Sequence, residues 1–138
     1  MSRRTDQRRA AVFAIYQHEV TGRDLEDLLG RDASVFTRAL VYAADDYRDE
    51  LDEVIGRHAE GWTVERIAPL EKAIMRIALL EMRYPDVAPG ETPIPAEGAI
   101  DEAVETAKTF CGAEAPGFVN GVLAAALREM QHNGAGHG

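Results

Sequence analysis

The sequence predicts an all-α fold of about seven helices arranged around a central helix that starts near Pro69 and ends near Met82. Three observations carry this prediction. Ile67, Leu70, Ile74, Ile77 and Ala78 recur at helical spacing, with a second apolar stripe of Met75, Leu79 and Met82 beside them. Only Arg76 is polar between Ala73 and Leu80, so this helix wants neighbours on several sides. Elsewhere the apolar residues also recur three and four apart, and Val, Ile and Thr never alternate over a useful length.

The first helix is expected to be capped by Thr5 or Asp6 and to run to about Val20, with Val12, Ile15, Tyr16 and Glu19 on one face. Gly22 ends it. Leu25, Leu28 and Leu29 imply one or two short turns closed by Gly30. Asp32 or Ser34 then caps one long helix to about His58, whose periodic residues are Phe36, Ala39, Leu40, Ala43, Tyr47, Leu51, Val54 and Ile55. That helix carries six acids between Asp45 and Glu53. The run reads as a solvated face, the alternative being a docking surface for a basic partner.

Gly61 closes that segment, and residues 63–68 form a separate short turn or helix. Pro69 suits the first turn of the central helix, where a missing N–H costs nothing. At about 14 residues that helix is too short to span a bilayer, which needs ~20 apolar residues. The proline-rich stretch Arg83–Pro95 is a loop. Ala99, Ile100, Ala103, Val104 and Ala107 define the next helix, stopped by Phe110-Cys111-Gly112. Pro116 opens the last, with Phe118, Val119, Val122, Leu123, Ala126, Leu127 and Met130 facing the core. Gly121 falls inside that periodicity, which points to close packing of another backbone. The ends, residues 1–5 and 132–138, are expected to be flexible. The start at Met1 and the fading glycine tail lead to the expectation of a complete chain.

Length fits one domain able to bury a proper core. A lone cysteine, Cys111, excludes an intramolecular disulfide. The N-terminus lacks the apolar stretch of a signal peptide, and the default location is cytoplasmic, without a membrane. Net charge is −9, from 24 acidic and 15 basic residues, yet Arg3, Arg4, Arg8 and Arg9 crowd the first nine positions against Asp6 alone. The chain has a basic end on an acidic body.

Chemistry of the catalytic kind finds little support. The serines are Ser2 and Ser34, the second placed as a helix cap. Cys111 reads as a bystander thiol. Glu129-Met-Gln-His132 is a single Glu-x-x-His, where a di-iron bundle needs two and further carboxylates. No catalytic residue, metal or cofactor is expected. Two signals remain. Arg4 and Arg8 share a helix face and suit phosphate recognition by guanidinium forks. Phe118 follows Pro116-Gly117 at a helix start, where an aromatic can stack on a base; spacing alone favours a core phenylalanine.

These residues resemble the NusB family of bacterial transcription factors. Arg8-Arg-Ala-Ala-Val-Phe-Ala-Ile-Tyr16 is similar to its opening helix. Trp62 with Glu71-Lys-Ala-Ile-Met-Arg-Ile-Ala-Leu-Leu-Glu81 is similar to its central helix. Ile94-Pro95, Ala99–Lys108 and Phe118-Val-Asn-Gly-Val-Leu123 are similar to its C-terminal signature. The resemblance spans about residues 3–130. It implies two packed three-helix bundles forming one RNA-binding helical domain over 1–138, and no enzymatic activity. It implies that the chain binds boxA single-stranded RNA together with NusE, a ribosomal small-subunit protein. It also implies assembly with NusA, NusG and RNA polymerase to suppress termination, notably on ribosomal RNA operons. By position, RNA contact is implied for Arg3, Arg4, Arg8, Arg9 and Phe118, and NusE contact for Glu81, Tyr16 and Arg76.

The sequence departs from the family where some members carry a basic residue before the phenylalanine and this chain has Gly117. Four arginines give a salt slope of only about −3 on single-stranded RNA, and one stacked aromatic adds roughly 1–3 kcal/mol. Unaided RNA binding is therefore expected to be weak, and joint recognition with a basic partner is favoured. The rivals are a helical adaptor that touches only protein, and a NusB-like domain detached from a ribosomal RNA methyltransferase. Self-association as a homodimer is left open.

Overall fold

A computed structural model describes residues 3–88, 90 and 92–137, the side chains of 134–137 aside. Seven α-helices and one 3₁₀ turn are present, and no strand occurs among the described residues. The helices are α1 (Arg3–Thr21), α2 (Leu25–Leu29), α3 (Val35–Asp46), α4 (Arg48–His58), α5 (Pro69–Arg83), α6 (Ala96–Phe110) and α7 (Ala115–His137). Helix α1 packs on α2 and α3, while α7 packs on α4 and α6. Helix α5 touches α1, α3, α4, α6 and α7 and so forms a wall of both groups.

The sequence of α5 explains that position. Every residue from Lys72 to Met82 is buried, including Lys72, Arg76 and Glu81. Pro69 stands at its first turn, as expected, and the preceding turn is the 3₁₀ segment Val64–Arg66. Leu40, Leu51, Ile55, Ile74, Met75, Leu79, Leu80 and Leu123 are among the largest fully buried side chains. They come from α3, α4, α5 and α7, so the core is continuous across both groups.

Local signals account for most boundaries. Gly22 follows α1 with φ +73° and donates its N–H to the carbonyl of His18 at 3.0 Å, an end that L side chains resist. Ser34 caps α3 by accepting the N–H of Thr37 at 3.0 Å.

Four expectations are corrected. Helix α1 already begins at Arg3, so Thr5 and Asp6 lie inside it and not at its cap. The long helix expected over 34–58 is broken at Tyr47, whose φ of −98° and ψ of 12° leave the helical basin. There the ring of Tyr47 stacks on that of Tyr84 at 4.2 Å between centroids. Gly121 does not face another backbone, because a Cβ built on it meets nothing within 4 Å. The tail does not end the last helix, since α7 runs to His137. Met1, Ser2 and Gly138 of the expected flexible ends lie outside the described residues.

Candidate nucleic-acid and partner interface

The arginines lie on the first turns of α1, and Arg4, Arg8 and Arg9 each stand near an aromatic ring. Arg4 and Arg8 fall on one face of the helix, above Phe36 from α3. Their guanidinium carbons lie 4.1 Å and 5.2 Å from its ring centroid. Arginines within about 6 Å of a ring face are attracted by its quadrupole. Arg4 also donates to the side-chain oxygen of Gln7. Arg9 turns to the opposite flank and stands 5.4 Å from the ring of Phe110 at the end of α6. Phe110 is 44% exposed and meets Phe13 edge-on at 4.9 Å. Arg3 is exposed. The result is a basic edge interleaved with aromatics, a composition suited to single-stranded nucleic acid.

Two of the expected site residues turn out to hold each other. Arg8 donates from Nε to Oε1 of Glu81 at 2.8 Å and from Nη2 to Oε2 at 3.0 Å. Their side chains are 12% and 7% exposed. This bidentate pair joins α1 to α5 across 73 positions. Beside it, the hydroxyl of Thr5 donates to Glu102 on α6 at 2.9 Å.

Phe118 has a different set of neighbours from the arginines. It is half-buried on the first turn of α7 and lines a groove with Trp62, Ile67, Glu71 and Ala115. Trp62, which also lines this groove, is 54% exposed. Burial in the same region pushes the Glu71 carboxyl above its ordinary value. Burial, with the charge of Glu71, does the same to the Cys111 thiol. Phe118 thus has one side in the core, as spacing favours, and another open to the groove.

Tyr16 is half-buried, packs on the core, and meets Phe13 edge-on at 6.4 Å. Arg76 is 4% exposed, and its guanidinium faces inward. It donates from Nε and Nη2 to both oxygens of Asp52 at 2.7 and 2.8 Å, and from Nη1 to Glu19 at 2.8 Å. Lys72 completes the network, 3.0 Å from the other oxygen of Glu19. Any part of Arg76 in partner contact would therefore have to act through the helices it ties: α1, α4 and α5.

The acids of the run are engaged to different degrees. Asp46 and Asp49 are exposed, Asp49 3.6 Å from Arg48, and Asp45 lies 3.8 Å from His18. Glu50 accepts from the Tyr84 hydroxyl and Arg83, Asp52 pairs with Arg76, and Glu53 pairs with Arg57. The Tyr84 hydrogen bond, aided by Arg83 against burial, holds the Glu50 carboxyl below its ordinary value. Glu129, the acid of the lone Glu-x-x-His, accepts from Arg57 and bonds His58. Among the described residues no cluster of three or more His, Cys, Asp or Glu is placed to hold a metal. No described helix is long and apolar enough to cross a membrane.

Phe13 and Phe110 border the arginine edge and Phe36 lies buried beneath it, yet none of the three carries such a signal in the sequence. Phe36 shows only core periodicity there, and the meeting of Phe13 with Phe110 depends on how α1 and α6 pack.

Comparison with known proteins agrees with this architecture. The NusB family model matches residues 5–128. The transcription antitermination protein NusB of Rubrobacter xylanophilus is 40% identical over 129 residues, which cover 89% of this chain and 88% of that protein. That of Halalkalibacterium halodurans is 39% identical over 129 residues, covering 89% and 91%. Among solved structures, T. maritima NusB superposes with a TM-score of 0.79 at 28% identity, covering 93% of this chain and 92% of that one. A structure of antitermination factors NusB and NusE in complex with dsRNA shares the fold, with a TM-score of 0.75 at 23% identity over 94% and 99% of the two chains. The chain belongs to the NusB family.

Proposed function

We propose that this protein binds the boxA element of nascent RNA jointly with NusE, and helps assemble a complex with NusA, NusG and RNA polymerase that suppresses termination on ribosomal RNA operons. The observation that carries this reading is the basic, aromatic edge of α1, where Arg4 and Arg8 lie on Phe36 and Arg9 on Phe110. Guanidinium groups meet phosphates there, and the exposed ring of Phe110 and the open side of Phe118 accept bases. Arg3, Arg4, Arg8, Arg9 and Phe118 are the RNA-contacting residues of this proposal. Glu81 and Tyr16 meet the basic partner, and Arg76 fixes the helices that present them. The protein works in the cytoplasm as a non-catalytic factor.

Net charge of −9 opposes unaided RNA binding. A basic partner offsets that charge and supplies further phosphate contacts. The test is fluorescence anisotropy of a boxA-like RNA titrated with this protein, with NusE, and with both, at two salt concentrations. The mixture is expected to bind far more tightly than either protein, with a steep salt dependence, and to weaken on Phe118→Ala and Arg4→Ala.

A second reading, the protein-only adaptor, is favoured by one specific observation. Arg8 is already engaged by Glu81 inside the chain. A mixture that binds RNA no better than NusE alone, while the two proteins still associate, would establish the adaptor instead.

A further inference from the structure

Arg8 and Glu81 belong, in the reading above, to two different binding surfaces, yet each is the other's partner. Arg8 uses Nε and Nη2, one edge of its guanidinium fork, on both carboxylate oxygens. A phosphate that binds side-on through this same edge, rather than end-on through Nη1 and Nη2, must displace Glu81. Phosphate and Glu81 therefore compete for Arg8. By the same geometry, a cation from a docked protein competes with Arg8 for Glu81.

The surroundings make each exchange costly when it occurs alone. The groove around the pair is walled by Val12, Ile77, Ala103 and Thr106, none of which offers Glu81 another cation. Glu102, on the same groove, is an acid. With the two side chains 12% and 7% exposed, removing one partner leaves a desolvated charge behind. RNA that takes Arg8 strands Glu81, and a basic protein that takes Glu81 strands Arg8. When both ligands bind, one internal pair is replaced by two external ones and no charge is stranded.

We propose that the Arg8–Glu81 pair couples RNA binding to the binding of a basic protein, so that each ligand raises the affinity for the other. The proposal rests on the functional reading above and adds a mechanism for joint recognition. Coupling of this kind is reciprocal, so the same factor appears in both affinities. Phe36 holds Arg4 near Arg8, with both guanidiniums close to its ring.

The test compares wild type with Glu81→Asp and Glu81→Gln, each alone and with NusE, by anisotropy of a boxA-like RNA. Glu81→Asp keeps the charge and shortens the reach, so it separates release of Arg8 from loss of a negative charge. Both variants are expected to bind RNA several-fold more tightly than wild type in the absence of NusE. Their salt slope should steepen by about 0.7, one phosphate contact on a single strand. NusE should then add less than it adds to wild type, and Arg8→Ala should abolish the gain.

Folding of each variant is checked by circular dichroism, and Glu81→Asp serves if Glu81→Gln does not fold. Variants that bind RNA alone no more tightly than wild type overturn the coupling, as does a gain that survives Arg8→Ala. If wild type and NusE together bind RNA no better than NusE alone, the functional reading fails with it. If they do bind better and the Glu81 variants match wild type, only the coupling fails.

Discussion

Substituting Arg76 with alanine tests the reasoning about the core most directly. Arg76 is 5% exposed at its side chain, against 24% for Asp52 and 29% for Glu19. Removing it leaves Asp52 without its bidentate donor and Glu19 with Lys72 alone. Breaking a buried pair from one side costs roughly 3–5 kcal/mol. Both acids retain some solvent and Lys72 still serves Glu19, so the lower end, about 3 kcal/mol, is expected. With an unfolding entropy of about 2.1 cal/mol/K per residue, that is a loss of roughly 10 °C in Tm for a chain of 138 residues.

The loss should also depend on pH in a defined direction. Burial raises the Glu19 carboxyl, but hydrogen bonds from Lys72 and Arg76 outweigh it and leave the group below its ordinary 4.5. A carboxyl depressed in the folded state adds stability above its unfolded value and loses it as pH falls through the folded one. Wild type therefore loses the Arg76 contribution in acid, and the deficit of Arg76→Ala should shrink from pH 7 toward about pH 3.5. Urea unfolding followed by far-ultraviolet circular dichroism at both pH values measures it. A deficit under about 1 kcal/mol at pH 7, or one that grows in acid, would refute the argument.

Three further outcomes are expected. Ile77→Ala, at a site 3% exposed in α5, should cost roughly 2–5 kcal/mol in chemical denaturation, and a smaller cost would mean that the site collapses around the gap. Gly121→Ala should stabilise α7 by about 0.5–1 kcal/mol in a thermal melt, because the new methyl group meets open space; destabilisation would restore the close approach that the sequence pattern implied. Cys111 should be alkylated by iodoacetamide at neutral pH more slowly than a free cysteine, since burial and Glu71 disfavour its thiolate; a rate equal to the free thiol's would contradict that.

Periodicity made α5 and α6 legible, and local chemistry the Ser34 cap, because those features are written within a few residues of one another. The same logic hid the break at Tyr47. Apolar spacing carries on from Ala43 through Tyr47 to Leu51, while the ring that Tyr47 stacks on lies 37 positions away at Tyr84. Gly121 misled because a glycine inside a helix looks the same in sequence whether it faces a backbone or solvent.

The arginine edge was visible as composition, but its partners were not. Phe36 and Phe110 come to α1 from α3 and α6. Glu81 and Arg8 each show a clear family position, and nothing local in either segment says that they meet. Arg76 stands out as the lone polar residue in an apolar helix; that Asp52 and Glu19 flank it depends on how three helices cross.

The double membership of α5 has a consequence for how the molecule opens. Neither group of helices closes its interior without α5, so the protein has no half that can melt and leave the other intact. In native-state hydrogen exchange, the amides from Lys72 to Met82 should be among the slowest in the chain. They should exchange with the same free energy as those in the buried middles of α1 and α7, through one shared global opening.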